Sequence, residues 1–274
     1  MIATPTPTLI PVSTLREALA RDLSRGTSDL PTLPRGVADA LRLARKPALD
    51  FSEIEKVAGE YPPLAARLLA VANSALYAMR GVPRIASVRR AAIRMGIQAT
   101  RDVLYQVAYA TMFVDAPRFR ELIEATFLHG VRCAPYGRLL AGERGLDQDT
   151  AFLAGLLHDI GRARCWKIVA AVRGKVDVEA AEVAVDEFHA VAGSELAAAW
   201  HLPEEVIEAC RWHHDPADRT YALIAAASDD LAILEVTRDD PGPARASLSA
   251  LGLLPAHSDE VIDIALAGGM AVPA

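Results

Sequence analysis

The sequence predicts an all-α protein. Strand-like alternation of apolar and polar residues is almost absent, while Ala, Leu, Arg and Glu recur at helical spacing through most of the 274 residues. Prolines and capping residues cut this pattern into helix-length pieces. A chain of this length can bury a substantial core and suits two helical lobes. The expected organisation is a flexible Pro- and Thr-rich tail over residues 1–14, an N-terminal helical lobe over 15–116, a second helical lobe over 117–235, and a C-terminal helical extension over 236–274.

The elements follow in order. Leu30, Pro31, Leu33 and Pro34 form an opening turn, after which Val37, Leu41 and Ala44 share one helix side until Pro47 stops it. Asp50 or Ser52 caps the next helix, and Pro62 and Pro63 open another with Leu64, Leu68, Leu69 and Ala72 pointing inward. Ser87 caps a short helix ending near Gly96, and a longer one runs from about Gln98 to Phe113. From Pro117 to about Gly142, Leu122, Thr126, His129, Cys133, Tyr136 and Leu140 recur at spacings of three and four, a long helix with His129 facing the core. Pro135 is expected to kink or break it about one turn earlier. The helical period returns over residues 149–160 and 188–200, and Leu202–Pro203 followed by Glu204 and Glu205 marks a fresh helix start with acids at its N-terminal end.

Composition excludes several function classes. The chain is 52% hydrophobic, yet no run reaches the roughly 18 to 20 uncharged apolar residues of a membrane span. No basic, apolar and small-residue succession marks an export signal at the N-terminus. Cys133, Cys165 and Cys210 are odd in number and far apart, which suits reduced thiols and a cytoplasmic location. A net charge of -6 lacks the broad attraction that nucleic-acid binders use against phosphate backbones, so DNA and RNA are not expected partners. Arg84, Arg89, Arg90, Arg94 and Arg101 form a local exception, either a solvated helix face or, with Gly81 and Gly96, a partner surface.

All seven histidines fall after residue 128. His129, the adjacent His158 and Asp159, His189, His201, the adjacent His213 and His214, and the acidic pair Asp229 and Asp230 are spread over several helices, and His257 stands apart as loop. Each has a plain structural reading: His129 and His189 as hydrogen-bonded core histidines, His201 as a helix-end residue, and His213 and His214 as imidazoles at a carbonyl-rich helix end. His158 and Asp159 could equally end a helix before Gly161, and Asp229 and Asp230 could be solvated. In combination they point to divalent metal, because imidazole and carboxylate suit iron, manganese or zinc and converging helices gather such ligands in bundle cores.

The stretch AFLAGLLHDIGRA, residues 151–163, resembles the central signature of the HD superfamily, in which a His-Asp pair on one helix supplies two metal ligands. Upstream, LPTLPRGVADALRLA, YPPLAARLLAVANSALYAMRG and IASVRRAAIRMG resemble, in order and spacing, the successive segments of the HDOD family, the HD-related output domains of bacterial signalling proteins. Downstream, FHAVAGSELAAAWHLPEEVIEACRWHHDP and YALIAAASDDLA resemble that family's helix pair and last core helix. The likeness covers about residues 30–235, and more weakly the terminal helices through about 266. It implies an N-terminal helical lobe packed on an HD-superfamily bundle.

Carried over by motif, the resemblance implies His129, His158, Asp159 and Asp229 as the basic metal ligands, with Asp229 preferred to Asp230 by position. His189, His213 and His214 match the additional ligands of HD-GYP phosphodiesterases, and in a phosphohydrolase Arg162 is the expected phosphate contact. The implied cofactor is a divalent metal: iron, manganese, zinc or magnesium. In such enzymes the metals hold phosphate oxygens and offset developing negative charge. Where HD-GYP enzymes carry Lys after HDIG this chain has Arg162, and the GYP triplet is missing, since Gly59, Glu60, Tyr61 and Pro62 lie in the other lobe; both departures tell against cyclic-dinucleotide hydrolysis. Two functions are therefore expected. One is a regulatory signal-transduction module that binds a protein partner or a nucleotide, with a bound metal. The other is a metal-dependent phosphohydrolase acting on a nucleotide or other phosphate ester.

Overall fold

The computed structural model describes residues 9–25, 35–46, 48–77, 83–111 and 117–270. The opening turn at Leu30 to Pro34, the stop at Pro47, Gly81, Phe113 and the first eight residues of the expected tail lie outside the described residues. Among those described the secondary structure is helical, with one isolated bridge between Leu9 and Lys175 in place of any strand. The helices fall into two compact units.

The first unit holds α2 (Arg35–Ala44), α3 (Phe51–Glu60), α4 (Pro62–Ala72) and α5 (Val88–Thr111). Asp50 caps α3, its carboxylate accepting from the Ser52 amide at 2.8 Å, and Pro62 and Pro63 open α4, where a missing N–H costs nothing. Asn73, just past α4, closes the next segment with its side chain: it accepts from the Ile85 amide at 2.7 Å and donates to the Ile85 carbonyl at 2.8 Å. α5 is two helices in one run, broken where Gly96 takes φ 81°, a backbone state that favours glycine. That break matches the short and long helices expected on either side of Gly96. The arginine stretch divides. Arg94 and Arg101 donate to the carbonyls of Ala72 and Lys46 at 3.4 and 2.9 Å, whereas Arg84, Arg89 and Arg90 are exposed.

The second unit holds α1 (Val12–Leu23) and then α6 (Arg120–Glu143), α7 (Gln148–Leu157), α8 (Ile160–Ala171), α9 (Val178–Ala199), α10 (Glu204–Trp212), α11 (Thr220–Thr237), α12 (Gly242–Ala250) and α13 (Pro255–Leu266). Three expectations need correction. Residues 12–23 are not the tail and start of the N-terminal lobe: α1 packs on α8 and α9, with Leu15 and Leu19 buried and Arg164 paired to Asp22 at 2.8 Å. Ile10 extends this attachment by donating its amide to the Lys175 carbonyl at 2.9 Å. α6 runs unbroken through Pro135, because its neighbours α7 and α11 hold both halves, which outweighs the one backbone hydrogen bond a proline removes. His257 lies in the first turn of α13, 3.3 Å from Glu143, and not in a loop. The terminal helices belong to the same core: Leu248, Val261, Ile262 and Ala265 are buried with Tyr136, Leu140 and Leu231 of α6 and α11.

Candidate metal centre

Four helices and one junction between two others place donors in this second unit. His129 comes from α6, and Asp229 from α11. His158 and Asp159 do not share one helix, as the signature implies; His158 is the C-cap of α7 and Asp159 the N-cap of α8. The tight junction between these helices lets two adjacent side chains serve different partners. His189 comes from α9, and His213 and His214 follow the end of α10.

Small residues make the convergence possible. A Cβ on Gly161 would run into the backbone of His189 and Gly193, so α8 and α9 approach at a distance only glycine allows. A Cβ on Gly155 would sit 2.9 Å from the Cys133 carbonyl oxygen, which sets α7 equally close to α6.

Among the described residues the donors form two groups, one of His129, Cys133, His158 and Asp229, the other of Asp159, His189, His213 and His214; within each group the ligand atoms lie within 4.8 Å of one another. All seven residues singled out as metal ligands are thus brought together. In the first group His129 Nε2 is 2.8 Å from Asp229 Oδ1. Burial disfavours a charge on His129, but the Asp229 carboxylate outweighs it and raises the imidazole pKa; burial likewise pushes Asp229 up, and His129 reverses that to hold it below the usual carboxylate value. In the second, Asp159 Oδ1 is 3.2 Å from His189 Nε2 and 3.4 Å from His213 Nε2. The other Asp159 oxygen is 3.9 Å from His158 Nε2, so this one carboxylate faces both groups. Burial would raise the Asp159 pKa, but the surrounding imidazoles prevail and keep it ionised.

The donor chemistry fits a cation. His158 Nδ1 is 2.9 Å from the Gly155 carbonyl, His189 Nδ1 2.8 Å from that of Asp186, and His213 Nδ1 3.1 Å from that of Ala209. A carbonyl only accepts, so each Nδ1 carries the proton, and in a neutral ring Nε2 then presents a lone pair. Burial pushes His213 and His214 below the ordinary imidazole pKa, which keeps them neutral near pH 7. His189 Nε2 nevertheless lies 3.2 Å from His213 Nε2 and 3.0 Å from His214 Nε2. Lone pairs and an ionised oxygen crowded this way repel unless a proton or a metal ion lies among them. His158 Nε2 and Asp159 Oδ1 are also buried without a hydrogen-bond partner, a costly state that a metal ion would relieve. The carbonyl bonds at Nδ1 are the usual means of orienting metal-bound histidine.

The remaining candidates lie elsewhere. Arg162 pairs with Asp186 and approaches Glu182, both on α9, while Asp159 adds to the acidic field that raises its pKa against the effect of burial. Asp230 turns away to Ser247 of α12. His201 is a left-handed turn residue between α9 and α10. Cys133 was legible in the sequence only as a reduced thiol on the inner face of α6. Its spacing of four from His129 is the signal that could have marked it as a donor.

A family model for the HDOD domain matches residues 30–216. Over 122 residues, 44% of this chain, the sequence is 36% identical to a ribonuclease Y of Thermus thermophilus, of which it covers 17%. The chain spans less than half the length of the curated relatives it matches first. Among solved structures, a protein of Shewanella amazonensis provisionally named a metal-dependent phosphohydrolase aligns with a TM-score of 0.62 at 20% identity, over 93% of this chain and 99% of that one. One of Marinobacter aquaeolei provisionally named a signal transduction protein aligns with a TM-score of 0.65 at 22% identity, over 96% of this chain and 65% of that one. These two likenesses establish a shared helical fold.

Proposed function

This chain belongs to the HDOD family, and on that premise we propose that it is a cytoplasmic bacterial signal-transduction module that holds divalent metal in its HD-like unit and, through the metal, a phosphate-bearing ligand such as a nucleotide. The observation that carries this reading is the crowding of imidazole Nε2 atoms around Asp159 with their Nδ1 protons committed to backbone carbonyls. His129, His158, Asp159 and Asp229 would hold one ion, and His189, His213 and His214 with Asp159 a second. Bound divalent metal supplies positive charge for phosphate oxygens and lowers the pKa of water. The protein's own part is positional. Gly155, Asp186 and Ala209 fix the rings, and Asp186 fixes Arg162 beside the acidic field of Asp159. A signalling protein is the second expected partner, and the exposed Arg89 and Arg90 are the surface offered to it; an Arg89→Glu/Arg90→Glu variant that still captures the same partner would remove that surface.

Hydrolysis of a phosphate ester is the other reading. It is favoured by the partial exposure of His129 and Asp229, each 24% accessible at the side chain, which leaves the first group open on one side as catalytic metal sites are. The likeness to ribonuclease Y supports phosphodiesters as the substrate class to test.

Elemental analysis of full-length protein purified without chelator or histidine tag tests the shared premise. About one or two equivalents of iron, manganese or zinc are expected in the wild type, and none in a His158→Ala/Asp159→Ala variant of unchanged helical signal. Wild type and variant equally empty after metal is supplied would overturn it. If metal is present, nucleotide binding that requires metal supports the module, and turnover of phosphate esters lost in the variant supports the enzyme.

A further inference from the structure

Cys133 sits one helical turn after His129 on the inner face of α6, fully buried, with Sγ 3.4 Å from His129 Nε2. Its sulfur lies within 4.8 Å of each of the ligand atoms of His129, His158 and Asp229. A buried cysteine alone signifies little, since this is one of the residue types most often found in cores. Two observations separate Cys133 from that background. His158 Nε2, on a fully buried side chain, belongs to the same group and has no hydrogen-bond partner. The other two thiols are equally buried but belong to neither donor group, and Cys210 Sγ instead donates to the Leu157 carbonyl at 3.2 Å.

Resting on the metal centre proposed above, we infer that Cys133 is itself a metal ligand, which turns the first group into a two-imidazole, one-thiolate, one-carboxylate site that selects zinc or ferrous iron over magnesium and manganese. The spacing suits the role. Two donors on a tetrahedral ion with bonds of about 2.0 to 2.3 Å are roughly 3.5 Å apart, close to the sulfur-to-nitrogen separation here. Charge balance suits it too. A thiolate and the Asp229 carboxylate together neutralise a divalent ion within the group, which lowers the cost of holding that ion in a mostly buried place. Thiolate is the soft partner that zinc and iron accept, whereas magnesium and manganese prefer oxygen donors. As the metal–sulfur bond forms, the thiol proton leaves to solvent.

X-ray absorption at the zinc edge of the zinc-loaded full chain reads the sulfur directly. The wild type is expected to show a sulfur shell at about 2.3 Å beside nitrogen and oxygen at about 2.0 to 2.1 Å. Cys133→Ser and Cys133→Ala should lose the sulfur shell and keep the nitrogens, and cobalt-loaded wild type should show a thiolate-to-cobalt absorption band that both variants lack. Zinc bound in the wild type with nitrogen and oxygen alone overturns the role of Cys133 and leaves the metal centre standing. A sulfur shell that survives in the variants assigns the ligand to another thiol and overturns it equally. A wild type that retains manganese but neither zinc nor ferrous iron likewise overturns the role of Cys133, and one that retains none of the three sinks the metal centre itself. The wild-type spectrum decides the presence of sulfur by itself, so a variant that fails to fold does not blunt the test.

Discussion

His189 Nε2 lies 3.2 Å from Asp159 Oδ1, joining the middle of α9 to the junction of α7 and α8. His158, the neighbour of Asp159 in sequence, belongs to the other donor group, so one dipeptide serves two sets of ligands. If each set holds its own ion, the two can be emptied separately. His189→Ala should lower bound metal from about two equivalents to about one, and His129→Ala should remove the other. Elemental analysis of both variants beside the wild type checks this. Loss of all metal in each variant would mean a single ion shared across Asp159.

The close approach of α8 to α9 gives a second expectation, this one on stability. Gly161→Ala places a methyl group against the backbone of His189 and Gly193, neither of which can yield as a side-chain tip could. Overpacking of this kind costs about 1 to 3 kcal/mol, and because it displaces His189 it should also weaken metal retention. Gly59→Ala is the control: a Cβ there meets nothing within 4 Å, on the exposed side of α3, and helix propensity predicts a gain of up to about 1 kcal/mol. Urea unfolding monitored by circular dichroism separates the two.

What could be read from the sequence follows the range of the interactions involved. The helices were legible because their causes are local: Asp50 caps α3, Pro62 and Pro63 open α4, and Gly96 breaks α5 where expected. The seven ligand candidates were legible because residue type and motif spacing carry them. Their division into two groups was not, since it depends on how α6, α9, α10 and α11 cross the α7–α8 junction. Arg162 illustrates the same limit. The HDIG-type motif carries no sign of the residues that receive its guanidinium, Asp186 and Glu182, which lie on α9, the next helix along the chain. The continuity of α6 through Pro135 likewise depends on packing from α7 and α11, which no local rule contains.

The placement of α1 was the least legible feature, and it supplies the last prediction. Arg164 of α8 is 6% exposed and donates to three acceptors: Asp22 Oδ1 of α1 at 2.8 Å, Glu195 Oε2 of α9 at 2.9 Å, and the Ala192 carbonyl at 3.3 Å. It therefore ties three helices whose sequence separations reach 142 residues. Arg164→Ala leaves the partly buried carboxylates of Asp22 and Glu195 and the Ala192 carbonyl without their donor, a loss in the class of about 3 to 5 kcal/mol. Asp22→Ala removes the rim partner, which is a third exposed, and Arg164 keeps Glu195, so about 1 kcal/mol is expected there. Denaturant unfolding should rank the two in that order. Hydrogen exchange adds the location: in Asp22→Ala, faster exchange should be confined to the amides around Leu15 and Leu19, whereas in Arg164→Ala it should extend into α8 and α9. Equal costs in the two variants would show that the α1 contact, and not the Glu195 pair, carries the interaction.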